Sequence, residues 1–237
     1  LFERDHHRRI AAVLGALNAE LLQSHHCYFG GGTAIALRYG EYRESVDIDF
    51  LVSDRAGYRA LRELLSGPEG LRPLFREGSP GPIREVRADQ YGIRTLVQAA
   101  DRPIKFEIVH EGRIGFALPA EADRICGVLA LTPLDMATSK LLANADRWRD
   151  DSVMSRDVID LAMMQPAMPM LRQARLKARE AYGDSIDSCL AKAIDYLRQR
   201  PALLDKRISA MSMTATRAQV WQRIKALEAV LPPPTGA

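Results

Sequence analysis

Asp47 and Asp49 stand two residues apart in VDIDFLV, where they alternate with Val46, Ile48, Phe50 and Val52. In an extended strand residues i and i+2 share a face, so both carboxylates project away from the apolar row. They lie roughly 7 Å apart along the backbone, and like charges this close repel unless a cation sits between them. Hard carboxylate oxygens suit Mg2+, with water and phosphate oxygens as the remaining ligands. Glu107 in PIKFEIVH, a second alternating segment, is the natural third carboxylate. The competing reading pairs Glu107 with Lys105 and makes the aspartates decoration on a solvent-facing strand.

Shortly upstream runs GGGTAIALRYG. A helix N-terminus carries unpaired N–H groups and partial positive charge, and glycines there let a phosphate approach the backbone. Gly31, Gly32 and Thr33 fit that role, although glycines before a helix are also ordinary turn residues. The stretch lacks the lysine and the spacing of a P-loop. Glycines and aspartates together point to a nucleoside triphosphate held with Mg2+, two ions being the expected number.

The elements that must position these residues are legible in outline. Ile10, Val13, Leu14, Leu17 and Leu21 recur at helical spacing, so one amphipathic helix is expected over 5–24. CYF reads as a short buried strand, TAIALRYG as a helix closed by Gly40, and residues 56–65 as another helix. EGSPGPI is a loop, followed by extended segments in IREVRADQY, GIRTLVQAA and PIKFEIVH. Thr132, Pro133 and Asp135 supply an N-cap, an N1 proline and an acidic first turn for a helix through Lys140 to about Arg147. RDVIDLAMM and three stretches near 171–182, 185–199 and 215–230 continue the helical pattern. The expected organisation is an α+β fold, with a mixed sheet packed by helices over 1–130 and a helical bundle over 131–237 that completes the active site.

Composition narrows the setting. No apolar run approaches the ~18 residues that would cross a bilayer, and the charged opening LFERDHHRRI argues against a secretory signal, so a cytoplasmic location is expected. Three cysteines without CxxC spacing read as free thiols. The pairs His6/His7 and His25/His26 are adjacent in sequence, cannot share a helix face, and read as ordinary helix-end residues. From residue 171 onward 12 basic residues face 6 acidic ones, whereas residues 1–170 hold 21 against 24. The C-terminal part, with Arg172, Arg175, Lys177 and Arg179 on one helix, is the expected surface for a polyanion.

The order GGTA, helix, RxSxDxDF, acidic strand, helical lysine and RDxxDL resembles the AbiEii-type nucleotidyltransferases, toxins of bacterial toxin–antitoxin pairs in the DNA-polymerase-β-like superfamily. The resemblance covers most of 27–161. It implies a mixed sheet, metal-binding aspartates at Asp47 and Asp49, and transfer of a nucleoside monophosphate from an NTP to an acceptor hydroxyl. RNA, tRNA in some members, is the acceptor it suggests, and an antitoxin is a possible partner. It places Gly32 and Thr33 at the triphosphate, Lys140 in the third motif and Asp157 in the fourth, with Asp160 close by and Arg156 where relatives commonly carry lysine. Lys140 is then expected to neutralise triphosphate charge, with Arg43 and Arg147 as further phosphate contacts. Two alternatives stay open: a transferase acting on a small molecule, and a non-catalytic NTP-binding module that binds a partner.

Overall fold

The structure is a computed structural model and describes residues 2–76, 85–100 and 102–233. The fold is α+β, and the chain forms two compact units: Leu1–Glu41 with Ser45–Thr132, and Tyr42–Glu44 with Pro133–Ala237.

In the first unit, α1 (Asp5–Ala16), α2 (Ala19–Ser24), β1 (Cys27–Gly30), α3 (Gly31–Arg38), β2 (Ile48–Val52) and α4 (Arg55–Leu65) precede β3 (Arg87–Ala88), β4 (Gly92–Ala99) and β5 (Arg102–His110). A small hairpin, β6 (Arg124–Ile125) with β7 (Val128–Leu129), closes the unit. The sheet runs β1-β2-β5-β4-β3 and is mixed: β2 and β5 are parallel, the other pairs antiparallel. A parallel pair needs a long crossover, which the chain through α4 begins.

Strand alternation divides the sheet into two faces. Ile48, Phe50 and Val52 of β2 are fully buried with Ile104, Phe106 and Ile108 of β5 and Ile93 and Val97 of β4. Phe50 packs its ring, tilted, with centroids 5.6 Å from those of both Phe29 and Phe106, tying β1, β2 and β5 together. On the opposite face Asp49 pairs in register with Glu107, and Glu107 with Arg94. Val46 departs from the expected apolar row: it precedes β2 and is exposed.

The single helix expected over 5–24 is two. Leu17 is extended and bridged to Phe75, and the Asn18 side chain accepts the Leu21 N–H to cap α2. An N-cap asparagine and a strand-like backbone partner outcompete the continuous apolar spacing. Gly40 does close α3: its φ of +82° lets the Glu41 N–H reach the Ala36 carbonyl at 2.7 Å. The loop expected at EGSPGPI lies outside the described residues.

The second unit is helical: α5 (Pro133–Arg147), α6 (Arg156–Met163), α7 (Met168–Tyr182), α8 (Ser185–Arg198), α9 (Pro201–Ala210) and α10 (Arg217–Ala226). Helix α9 was not expected, and Leu204 is its one buried residue. Helix α7 starts earlier than the sequence suggested, since a proline in the first turn costs no helical hydrogen bond.

Candidate active site

In the first unit the glycine entry and the acidic strand meet. Gly30 pairs with Asp49 across β1 and β2, and α3 starts at once with Gly30 as its N-cap. Gly31 has φ +68°, and a Cβ there would lie 2.5 Å from Asp49 Oδ2. Only glycine fits, on backbone conformation and on space. Thr33, fully buried, donates its hydroxyl to the Asp47 carbonyl at 2.6 Å and lies 2.8 Å from Ser45 Oγ. Its hydroxyl, expected at the triphosphate, instead fixes the backbone that carries Asp47.

Two histidines from α1 hold the same segment, a role that adjacency in sequence had hidden. His6 Nε2 lies 3.0 Å from the Val46 carbonyl, and the Ser45 N–H donates to His7 Nε2 at 3.1 Å. With Nε2 accepting, His7 carries its proton on Nδ1 and donates it to Glu41 at 2.8 Å. Burial pushes the His7 pKa below its ordinary value, only partly opposed by Glu41. Asp47 is thus preceded by two consecutive residues whose backbones are held from α1.

Glu107 sits beside Asp49 as expected, but both its oxygens are engaged. Arg94 Nε donates to one at 2.9 Å and Lys105 Nζ to the other at 2.6 Å. Burial would lower the Lys105 pKa, yet Glu107, then Asp47 and Asp49, raise it, so its ammonium stands in the field of all three carboxylates. Among the described residues no three Asp, Glu, His or Cys side chains converge as a metal site. The donor set still fits Mg2+ in kind: Asp47 and Asp49 are half-buried oxygen donors, and Asp49 lies against the glycine entry of α3. Those two would hold the ion, and Glu107, expected as the third carboxylate, is paired with Arg94 and Lys105.

The remaining candidates meet in the second unit, in a buried ionic network. Lys140 of α5 lies 3.0 Å from Asp157 and 2.7 Å from Asp160, one helical turn apart on α6. Arg147 donates to both Asp157 oxygens, at 2.7 and 3.0 Å. Arg43 grips Asp160 through Nε at 2.7 Å and Nη2 at 2.9 Å, and the Tyr42 hydroxyl donates to Asp160 at 2.5 Å. Burial would raise the Asp160 pKa, but Arg43 and Lys140 hold the carboxyl well below the usual range. Burial would lower the Lys140 pKa, but Asp160 and Asp157 raise it.

Two expectations change here. Arg43, expected at phosphate, is 2% exposed and uses its donors on Asp160 and the Glu44 carbonyl. Lys140 is buried between two aspartates rather than presented freely. The spacing of Asp157 and Asp160 could have foretold this, since i and i+3 on one helix share a face.

The family model described as nucleotidyl transferase AbiEii toxin, type IV TA system, matches residues 13–232. The chain belongs to the AbiEii nucleotidyltransferase toxin family. No curated protein matches its sequence. Among solved structures it is similar to a putative nucleotidyltransferase from Helicobacter pylori, with 16% identity, 96% of this chain and 95% of that one covered, and a TM-score of 0.52. JHP933 from Helicobacter pylori aligns with 16% identity, 98% and 95% coverage and a TM-score of 0.50. MenT4, a nucleotidyltransferase toxin from Mycobacterium tuberculosis, aligns with 18% identity, 97% and 96% coverage and a TM-score of 0.45. Membership of the AbiEii family brings nucleotidyl transfer as the class of reaction and a toxin–antitoxin system as its setting. No helix among the described residues is long and apolar enough to cross a membrane.

Proposed function

We propose that the chain is a Mg2+-dependent toxin that transfers a nucleoside monophosphate from an NTP to a hydroxyl of a cytoplasmic RNA, tRNA being the first candidate, and that an antitoxin protein restrains it. The observation that carries this reading is the packing of Gly31, at the N-terminus of α3, against Asp49. An acceptor oxygen attacks the α-phosphorus in line, its bond to phosphorus forms as the bond to pyrophosphate breaks, and its proton leaves to solvent.

Asp47 and Asp49 hold Mg2+ in this reading, and the ion when bound supplies positive charge to the triphosphate and acidifies the acceptor hydroxyl. In this reading the N–H groups at Gly31 and Gly32, beside the Asp49 carboxylate, receive phosphate oxygens. Thr33, Ser45, His6 and His7 keep the backbone before Asp47 in place, so its carboxylate needs no reorganisation during the reaction. Within the second unit, Asp157 and Asp160 fix where Lys140 stands, and Asp157 holds Arg147.

Incubation with each α-labelled NTP, Mg2+ and total cellular RNA tests the reading. RNA should become labelled, and Asp49→Asn should lower the rate at least ~100-fold while the melting temperature holds. Label on protein or on a small molecule instead would reassign the acceptor. Full activity in a folded Asp49→Asn chain would remove the role given to the aspartates.

A further inference from the structure

We propose that a groove of about 990 Å³ on the first unit, between α4 and the turn joining β3 to β4, binds the single-stranded end of a nucleic-acid acceptor; the inference rests on the RNA reading above. Arg55, Arg59 and Arg62 line one wall. At i, i+4 and i+7 they form one stripe along α4. Arg94 and Arg113 line the other wall.

Two acidic residues also line the groove, and both are already paired. Glu63 takes Arg59 at 2.9 Å, and buried Glu111 takes Arg113 at 2.6 Å. Arg94 divides its donors between Glu107 and Asp89. Arg55 and Arg62 have no acidic partner among the described residues, which leaves two uncompensated cations on one helical face.

The aromatic component is built as firmly. Tyr58 and His110 stack with ring centroids 4.8 Å apart and planes 13° apart, and the Tyr58 hydroxyl donates to the Asp89 carbonyl at 2.7 Å. That bond joins α4 to the opposite wall. Asp89 Oδ1 accepts the N–H groups of Tyr91 and Gly92 at 2.7 and 2.9 Å, and the Tyr91 carbonyl accepts the His110 N–H at 2.9 Å. The backbone at Tyr91 is therefore fixed, yet the residue is 65% exposed at the groove. A held, outward-facing aromatic beside unpaired arginines matches the chemistry of bases stacked on a side chain with phosphates tracked by cations.

Position supports the same occupant. Arg94, Glu107 and Asp49 are register neighbours on β4, β5 and β2. At ~4.8 Å per strand the groove's edge at Arg94 stands roughly 10 Å from Asp49. A strand lying in the groove can thus direct its terminal hydroxyl along this row.

The test is fluorescence anisotropy of the full chain with a short, unstructured, fluorescein-labelled RNA over a salt series. Arg55→Glu with Arg62→Glu should weaken binding about tenfold or more and flatten the salt dependence by roughly 0.7 per lost phosphate contact. Tyr91→Ala should weaken it about fivefold or more at an unchanged slope. Melting temperature and binding of a fluorescent NTP should stay at wild-type values, because Arg55 and Tyr91 are exposed, Arg62 is half-buried without an acidic partner among the described residues, and all three lie outside the aspartate cluster. Wild-type RNA affinity in both variants, or competition by polyglutamate as strong as by unlabelled RNA, would overturn the proposal. A wild-type chain that labels protein and does not bind the RNA would overturn it too. Absence of any nucleotidyl transfer would count against the function proposed above, while the anisotropy still decides the groove.

Discussion

Gly31 approaches Asp49 so closely that a methyl group on its Cα would fall 2.5 Å from the carboxylate oxygen. Gly31→Ala must therefore move either the helix entry or the aspartate, and it also forces a side chain onto φ +68°, which costs about 1–2 kcal/mol. A displacement near 1 Å at a reacting centre costs about 100-fold in rate. The expected outcome is a folded chain, slightly less stable, with transfer reduced about 100-fold. Gly15→Ala is the control: nothing lies within 4 Å of that Cβ in α1, and it should stabilise by about 0.5–1 kcal/mol without touching activity. Normal kinetics in Gly31→Ala would show that this packing serves the fold alone.

The network around Asp160 predicts a stability effect of a different size. Asp160 is fully buried and compensates Arg43 and Lys140, so Asp160→Asn strands buried cations. Breaking a buried pair in this way costs about 3–5 kcal/mol. The pH dependence follows in sign. Asp157 and Asp160 have depressed values, so their contribution is present above about pH 3.9, the unfolded value, and is lost as pH falls through the folded values. Lys140 is raised, so its contribution is present below about pH 10.4 and is lost as pH rises through its folded value. Denaturant unfolding across pH should show both losses in the wild type, and Asp160→Asn should blunt them. Combining it with Lys140→Met should recover part of the loss, because the two sites are coupled.

How far the sequence disclosed this molecule depends on the range of each interaction. The acidic row was readable because strand alternation is local: Ile48, Phe50 and Val52 announce the buried face and so the carboxylate face. Gly40 was readable because a helix stop is a local conformational demand. Glu107 was half readable, since Lys105 stands two residues away on the same strand whereas Arg94 comes from β4, but the fates of Arg43 and Lys140 depend on partners brought in by tertiary folding. The neutralisation of Arg43 by Asp160 joins residues 117 positions apart. Net charge hides pairing for the same reason: Arg175, Lys177 and Arg179 of the basic C-terminal helix meet acidic partners, while the cationic groove lies on the half with the acidic balance. His7 was dismissed on adjacency to His6, whereas its function depends on Ser45 and Glu41 reaching its two nitrogens.

His7 gives a prediction in the neutral range. The folded state favours its neutral form, because burial outweighs Glu41 and because Nε2 must accept the Ser45 N–H. Its contribution is present above about pH 6.5, the unfolded value, and is lost as pH falls below that towards the folded value. His7→Phe should cost about 1–3 kcal/mol near pH 7, since it leaves the Ser45 N–H unsatisfied. It should also flatten the fall in stability between about pH 7 and pH 5. Parallel stability profiles for the two chains would mean that His7 does not titrate in this window.

The basic stripe on α7 should behave as structure rather than as an RNA surface. Arg175 binds both oxygens of Asp187, at 2.5 and 2.6 Å, Arg179 pairs with Asp187 and Asp184, and Lys177 reaches the fully buried Asp135 at 2.5 Å. Burial would raise the Asp187 pKa, but Arg175 and Arg179 hold it below the usual range. These charges are consumed within the helical unit, so reversing them sets like charges against each other. Arg175→Glu or Lys177→Glu should lower unfolding stability by on the order of 1–3 kcal/mol, with RNA affinity and its salt slope unchanged. Arg172→Glu, exposed and with no acidic partner among the described residues, should alter neither. A fall in RNA affinity at intact stability in Arg175→Glu would return the acceptor to this helix and take it from the groove beside Tyr91.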